Sequence, residues 1–154
     1  MDIVEELTSL GHALDAAGVD YAVCGALALA IHGVPRATAD IDLLVARPDA
    51  DRFRAVVHAC GFTLESQPFT FASSGITMLG FTKLGASALV VDALLVDEPH
   101  GAIWNGRERV PYGRGSVSVV SRAGLVALKR TAGRPQDLVD VQRLVALDHE
   151  RAVG

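Results

Sequence analysis

The stretch YAVCGALALAIHGVPRATADIDLLV, Tyr21 to Val45, decides how the rest of the chain is read. Tyr21–Cys24 is a short apolar run, the pattern of a buried strand. Gly25 ends it, and Ala26–His32, small and apolar with good helix formers, predicts a short helix. Gly33-Val34-Pro35 breaks that helix, and Asp40–Val45 follows as a second strand. Side chains alternate along a strand, so Asp40 and Asp42 point to the same side, roughly 7 Å apart. Two carboxylates side by side repel each other. A divalent cation with a preference for hard oxygen ligands, typically Mg²⁺, neutralises such a pair.

Working outward, Ile3, Leu7, Leu10 and Leu14 have helical spacing over residues 2–17, and Gly18 is a natural stop. After the second strand, Arg47-Pro48-Asp49 makes a turn into an amphipathic helix over Asp49–Cys60, with Phe53, Val56 and Val57 on one face. Phe62–Leu64 predicts a short edge strand and Ser66–Ser74 a loop. Ile76–Phe81 and Ser87–Leu95 read as two further strands joined at Lys83-Leu84-Gly85. Residues 97–115, rich in Gly, Pro and Arg, give no periodic signal. Val117–Val120 is a short β-like run. Ser121 is placed as the N-cap of a helix to about Ala132. Gly133 interrupts, and Pro135 suits the first turn of a last helix to about Leu147.

One residue outside the opening stretch stands out. Asp92 alone breaks the nearly continuous apolar run SALVVDALL, and a buried lone carboxylate is costly unless it is paired or metal-bound. Beside the Asp40/Asp42 strand it would bring three carboxylates to one point. At a strand end it would be a surface cap. The Gly25 turn adds a place where backbone approaches a ligand closely, with helix N–H groups beyond it for a phosphate.

Length and composition predict a single domain over 1–154, with its core at 19–96 and two C-terminal helices within 121–148. The chain has 154 residues, half of them apolar, and a formal net charge of -4, which argues against a general nucleic-acid or membrane binder. The charge is uneven. Residues 1–100 carry 5 Lys/Arg against 13 Asp/Glu, whereas 101–134 carry 7 Lys/Arg against Glu108 alone. A metal and polyphosphate site needs both signs; chance clustering on solvated faces is the plainer reading. Cys24 and Cys60 have neither metal spacing nor a disulfide framework, and the acidic start MDIVEELTSL is not a signal peptide. No apolar run is long enough to span a bilayer. These features predict a cytoplasmic protein.

Taken together, Cys24-Gly25-Ala26, a thirteen-residue spacer, Asp40-Ile41-Asp42-Leu43 and the later Asp92 resemble the signature of the nucleotidyltransferase superfamily that includes DNA polymerase beta. HGVPRATADIDLLV and LKRTAGRPQDLVDVQRL are similar to its small prokaryotic branch, near the abortive-infection (AbiEii-type) toxins and minimal nucleotidyltransferases. The resemblance implies an α/β (α+β) fold with a small mixed sheet of about five strands flanked by helices. It implies that Asp40, Asp42 and Asp92 ligate Mg²⁺, one or two ions, with Asp92 also taking a proton from an attacking hydroxyl. Gly25 and Ala26 would hold the triphosphate of an NTP, and Lys129 would contact the nucleotide. Arg36 and Thr38, in the loop before the aspartates, would overhang the site, with Arg36 gripping phosphate or pairing with an acid. Asp137 and Asp140 share a helix face, where capping and pairing with Arg134 or Arg143 is the expected role. His32 and Trp104 are expected to pack.

The implied activity is transfer of a nucleoside monophosphate from NTP to a hydroxyl. The acceptor is expected to be macromolecular, a protein or tRNA, because so short a chain leaves little to build a small-molecule pocket. A toxin–antitoxin or phage-defence setting, with a partner protein from a neighbouring gene, fits the same branch. The alternative is an inactive nucleotidyltransferase fold acting as a binding module, an antitoxin-like partner or nucleotide sensor. Ala26 stands where the superfamily has Ser or Gly and offers no hydroxyl to phosphate.

Overall fold

The structure, a computed structural model, describes residues 2–97 and 100–153. Chain order is α1 (Ile3–Ala16), β1 (Ala22–Cys24), α2 (Gly25–Ile31), β2 (Asp40–Ala46), a 3₁₀ turn (Arg47–Asp49) and α3 (Ala50–Ala59). Then come β3 (Leu64–Glu65), β4 (Phe69–Thr70), β5 (Thr77–Leu84), β6 (Ala88–Val96) and α4 (Gly101–Asn105). β7 (Glu108–Tyr112), β8 (Gly115–Val119), α5 (Arg122–Ala132) and α6 (Pro135–Val153) complete it.

The strands form one open sheet in the order β3-β5-β6-β2-β1-β8-β7, with β4 also paired to β5. It is mixed: β2 runs parallel to β6, β1 antiparallel to β2 and parallel to β8. On one face Ile41, Leu43, Val45, Val91, Ala93 and Phe81 are buried. They share a core with Leu7, Leu10 and Leu14 of α1 and Phe53 and Val57 of α3. Phe53 meets Phe81 edge to face at 5.9 Å. This is why α1 and α3 each carry one apolar stripe. Strand alternation puts Asp40, Asp42 and Asp92 on the opposite face.

Helix ends follow local chemistry. The Ser121 hydroxyl accepts from Gly124 N at 3.0 Å, and Gly133, at φ +65°, ends α5 in the left-handed conformation. His32 is a packed core residue, its Nε2 donating to the Val120 carbonyl at 2.7 Å. Trp104 lies under the Arg107 guanidinium, 4.2 Å from the ring centroid.

The described residues form eight strands where about five were expected. β3 and β4 have two residues each, too short for alternation to register, and β3 starts two residues later than the expected edge strand because Phe62 N donates to Val57 O at 2.9 Å, closing α3. Thr77–Leu84 runs beyond Phe81, so the turn falls at Gly85–Ser87. The region without periodicity holds α4 and the β7–β8 hairpin; residues 98 and 99 within it lie outside the described residues. Pro111 is tolerated in β7 because that strand is an edge.

Candidate functional site

The site is built on one row of the sheet. Cys24 pairs with Asp42, Asp42 with Asp92, and Asp92 with Gly80. Paired residues on neighbouring strands face the same way, so the Asp42 and Asp92 carboxyls stand side by side. Asp40 is two residues earlier on the same face, level with Val90 and exposed. The parallel pairing of β2 and β6 thus brings together acids fifty residues apart.

Glycines make room at both ends of the row. Gly25 has φ +64°, and a Cβ there would lie 2.1 Å from Asp42 Oδ2. Gly80 needs no unusual backbone, but a Cβ on it would lie 2.3 Å from Ser66 Oγ and 3.3 Å from Asp92 Oδ1. Gly80 and Ser66 escaped the sequence reading; the available signal was a glycine inside a strand. Gly25→Ala should cost about 2 kcal/mol or more, from left-handed strain plus displacement of Asp42. A urea melt checks this, and a loss under 0.5 kcal/mol would show that Asp42 moves freely.

Burial, then the neighbouring Asp92 and Asp40 charges, push the Asp42 carboxyl up to about 7; Lys129 and Arg134 offset this only in part. Asp92 is also raised, by burial and by Asp40, while a hydrogen bond from Asp42 pulls the other way. Both carboxyls are therefore harder to ionise than free ones. Burial, followed by Asp42, drives the Cys24 thiol well up, so it stays neutral.

Beside this acidic row lies a buried ionic cluster. Asp140, with no exposed side-chain surface, accepts from Arg36 Nη1 at 2.7 and 2.9 Å and from Gln136 Nε2 at 2.9 Å. Lys129 Nζ is 2.9 Å from Asp140 and 3.5 Å from Asp137. Asp137 accepts from the Arg134 backbone N at 3.2 Å and from its Nε at 2.7 Å, capping the start of α6. Burial raises both carboxyls, but the hydrogen bonds from Arg134 (to Asp137) and from Lys129, Gln136 and Arg36 (to Asp140) outweigh it and hold both below the usual range. The expected partner Arg143 is not used: Asp137 pairs with Arg134 and Lys129, Asp140 with Arg36 and Lys129. Arg36, Lys129 and Arg134 thus share two acids.

A cavity of about 500 Å³ opens over the row. Asp42, Asp92, Cys24 and Gly25 form its floor, α5 and the start of α6 contribute Lys129, Arg134 and Asp137, and the segment around Phe71 closes the far side. Of the residues singled out from sequence, Asp42, Asp92, Gly25 and Lys129 line this cavity, whereas Asp40, Ala26, Arg36 and Thr38 do not. Arg36 takes the salt-bridge alternative. Thr38 Oγ1 accepts from Asp40 N at 3.2 Å, steadying the strand entry. The basic block is divided among acids: Arg107, Arg109, Arg122, Lys129 and Arg134 all have carboxylate partners.

The donor chemistry suits a hard cation: burial first, and then the Asp92 and Asp40 charges, raise the Asp42 carboxyl, and a bound cation would offset both. Among the described residues, no three His, Cys, Asp or Glu side chains already enclose a single ion.

No family model matches the sequence, and comparison with curated proteins gives no match. Solved structures do match. A nucleotidyltransferase candidate from Thermotoga maritima superposes with TM-score 0.66 at 16% identity, covering 93% of this chain and 92% of that one. An antigenic nucleotidyltransferase-like protein from Paracoccidioides brasiliensis gives 0.62 at 18%, over 94% of this chain and 75% of that. ANT(2″)-Ia, solved in complex with adenylyl-2″-tobramycin, gives 0.61 at 19%, over 96% and 91%. At these identities the likeness establishes the fold: the chain has the nucleotidyltransferase fold. No described helix is long and apolar enough to cross a membrane.

Proposed function

We propose that this protein is a Mg²⁺-dependent nucleotidyltransferase, moving a nucleoside monophosphate from NTP to a hydroxyl and releasing pyrophosphate. The observation that supports it most is the in-register Asp42/Asp92 pair, with Asp40 one pleat away, left short of positive charge at the foot of a cavity. Asp40, Asp42 and Asp92 would hold the cation, whose chemistry is to offset charge on the phosphoryl oxygens. Asp42 gives up its proton for that role. Asp92 accepts the proton of the attacking hydroxyl. Lys129 and Arg134 receive the negative charge of the departing pyrophosphate, and Gly25 lets the phosphates approach the floor. Arg36 and Thr38 act by positioning the β2 entry.

The expectation of a macromolecular acceptor rested on chain length; the cavity of about 500 Å³ also has to seat the NTP, so its volume does not choose between a macromolecular and a small acceptor. A protein or tRNA acceptor within a toxin–antitoxin or phage-defence pair stays a reading from resemblance alone. ANT(2″)-Ia, bound to an adenylylated antibiotic, supports a small acceptor equally. The binding-module alternative is favoured by one observation, that Lys129 is already paired with Asp140 and Asp137. Incubation with α-labelled NTPs, Mg²⁺ and cell extract separates the two. Transfer of label with pyrophosphate release, abolished in Asp40→Ala/Asp42→Ala, is the expected result. A Mg²⁺·NTP-induced rise in Tm with no release would assign the binding module, and neither would end the proposal.

A further inference from the structure

The cavity has two unlike ends. Asp42 adjoins Cys24 and Gly25 on the β1 side, whereas Asp92 adjoins Gly80 on the β5 side. Beyond Asp92 the lining consists of Leu94, Met78, Ile76 and Phe71, with Ser73 and Ser74 at the turn, and among the described residues it contains no charged side chain. Phe71 presents its ring there, 37% exposed, with Phe69 edge-on behind it at 5.0 Å and 82°. The segment is ordered by its own bonds: Phe71 N donates to Ile76 O at 2.9 Å, Gly75 N to Phe71 O at 2.8 Å, and Ser74 Oγ accepts from Ile76 N at 3.2 Å.

We infer that this wall seats the acceptor, and that the acceptor is a small, uncharged hydroxyl compound with an apolar, ring-containing body. The inference rests on the function proposed above. In-line displacement puts the attacking oxygen opposite the departing pyrophosphate. Pyrophosphate requires the cations, so it occupies the Lys129/Arg134 end. The hydroxyl then enters from the Phe71 end, beside Asp92: its O–H proton passes to Asp92 as the oxygen bonds the α-phosphorus and the bond to pyrophosphate breaks. RNA brings a charge with every nucleotide and needs cations to meet it, which the wall lacks. A polycation needs carboxylates, which the wall also lacks. An apolar ring stacked on Phe71 with an alcohol directed at Asp92 satisfies both ends.

The probe is 2-naphthaleneethanol, a flat neutral alcohol, titrated by its own fluorescence into protein holding Mg²⁺ and a non-hydrolysable NTP analogue. The wild type should bind it saturably. Phe71→Ser should weaken binding at least fivefold, Phe71→Leu less, and Phe71→Trp should retain it. The Tm rise produced by Mg²⁺ and the analogue should be the same in all four proteins. Unchanged naphthyl binding in Phe71→Ser overturns the inference. So does a loss of the nucleotide-induced Tm rise in that variant, which would give the wall to the nucleobase. Displacement of the probe by an RNA oligomer with steep salt dependence overturns it in favour of nucleic acid. If the wild type itself shows no Tm rise with any NTP, the proposed function fails, and the naphthyl titration still reads the wall by itself.

Discussion

Asp140→Ala is expected to destabilise the protein by about 3–5 kcal/mol, because it removes the hub of a buried ion cluster and leaves its cations behind. The Asp140 side chain is fully buried and receives donors from three parts of the chain: Arg36 before β2, Lys129 on α5 and Gln136 on α6. Without it, Lys129 retains only Asp137, at 3.5 Å. Asp140→Asn keeps the shape and should cost less. Urea unfolding at pH 7 measures both. A loss under 1 kcal/mol in Asp140→Ala would mean that water replaces the carboxylate and that the cluster does not tie the loop before Asp40 to the helices.

Asp42→Asn should act in the opposite direction on stability while removing activity. The Asp42 carboxyl titrates at about 7 in the folded chain against 3.8 in the reference state, so the folded protein binds the extra proton. Stability from this group is complete below about pH 4 and is lost as the pH rises through about 7. At pH 8 the variant should therefore be more stable than the wild type without ligand, by up to about 4 kcal/mol, with the gap closing toward pH 5. Asp137 and Asp140, whose carboxyls are held low, lose their contribution only in acid and do not interfere in that window. Nucleotidyl transfer by the variant should fall more than a hundredfold, and the Tm rise with Mg²⁺·NTP should disappear. Melting curves at pH 5 and pH 8 and an assay of pyrophosphate release test this. A variant less stable than wild type at pH 8 would show that the acids are already neutralised from within.

The sequence exposed the acid row because its signals are local or nearly so. Asp40 and Asp42 declare their shared face by spacing alone, and Asp92 declares itself as the lone charge in an apolar strand. The parallel register that sets Asp42 against Asp92 is a tertiary fact, and only resemblance anticipated it. Gly80 offered only the weak signal of a glycine inside a strand and Ser66 none, since their role is space beside a residue on another strand. Arg36 was legible as a cation but not as a partner of Asp140, because 104 residues separate them. The cavity was missed altogether. Its far wall belongs to a two-residue strand and a short turn, where neither alternation nor helical period can develop. The expected macromolecular acceptor therefore rested on chain length and not on this wall.

The central claim is that Asp42 and Asp92 act together as one anionic seat for a divalent ion. Titration of Mn²⁺ into nucleotide-free protein, with free ion counted by its electron paramagnetic resonance signal, addresses it most directly. Binding should tighten from pH 6 to pH 8 as Asp42 loses its proton, and Asp42→Asn and Asp92→Asn should each weaken it tenfold or more. Affinity that ignores pH and is equal in all three proteins would contradict the account.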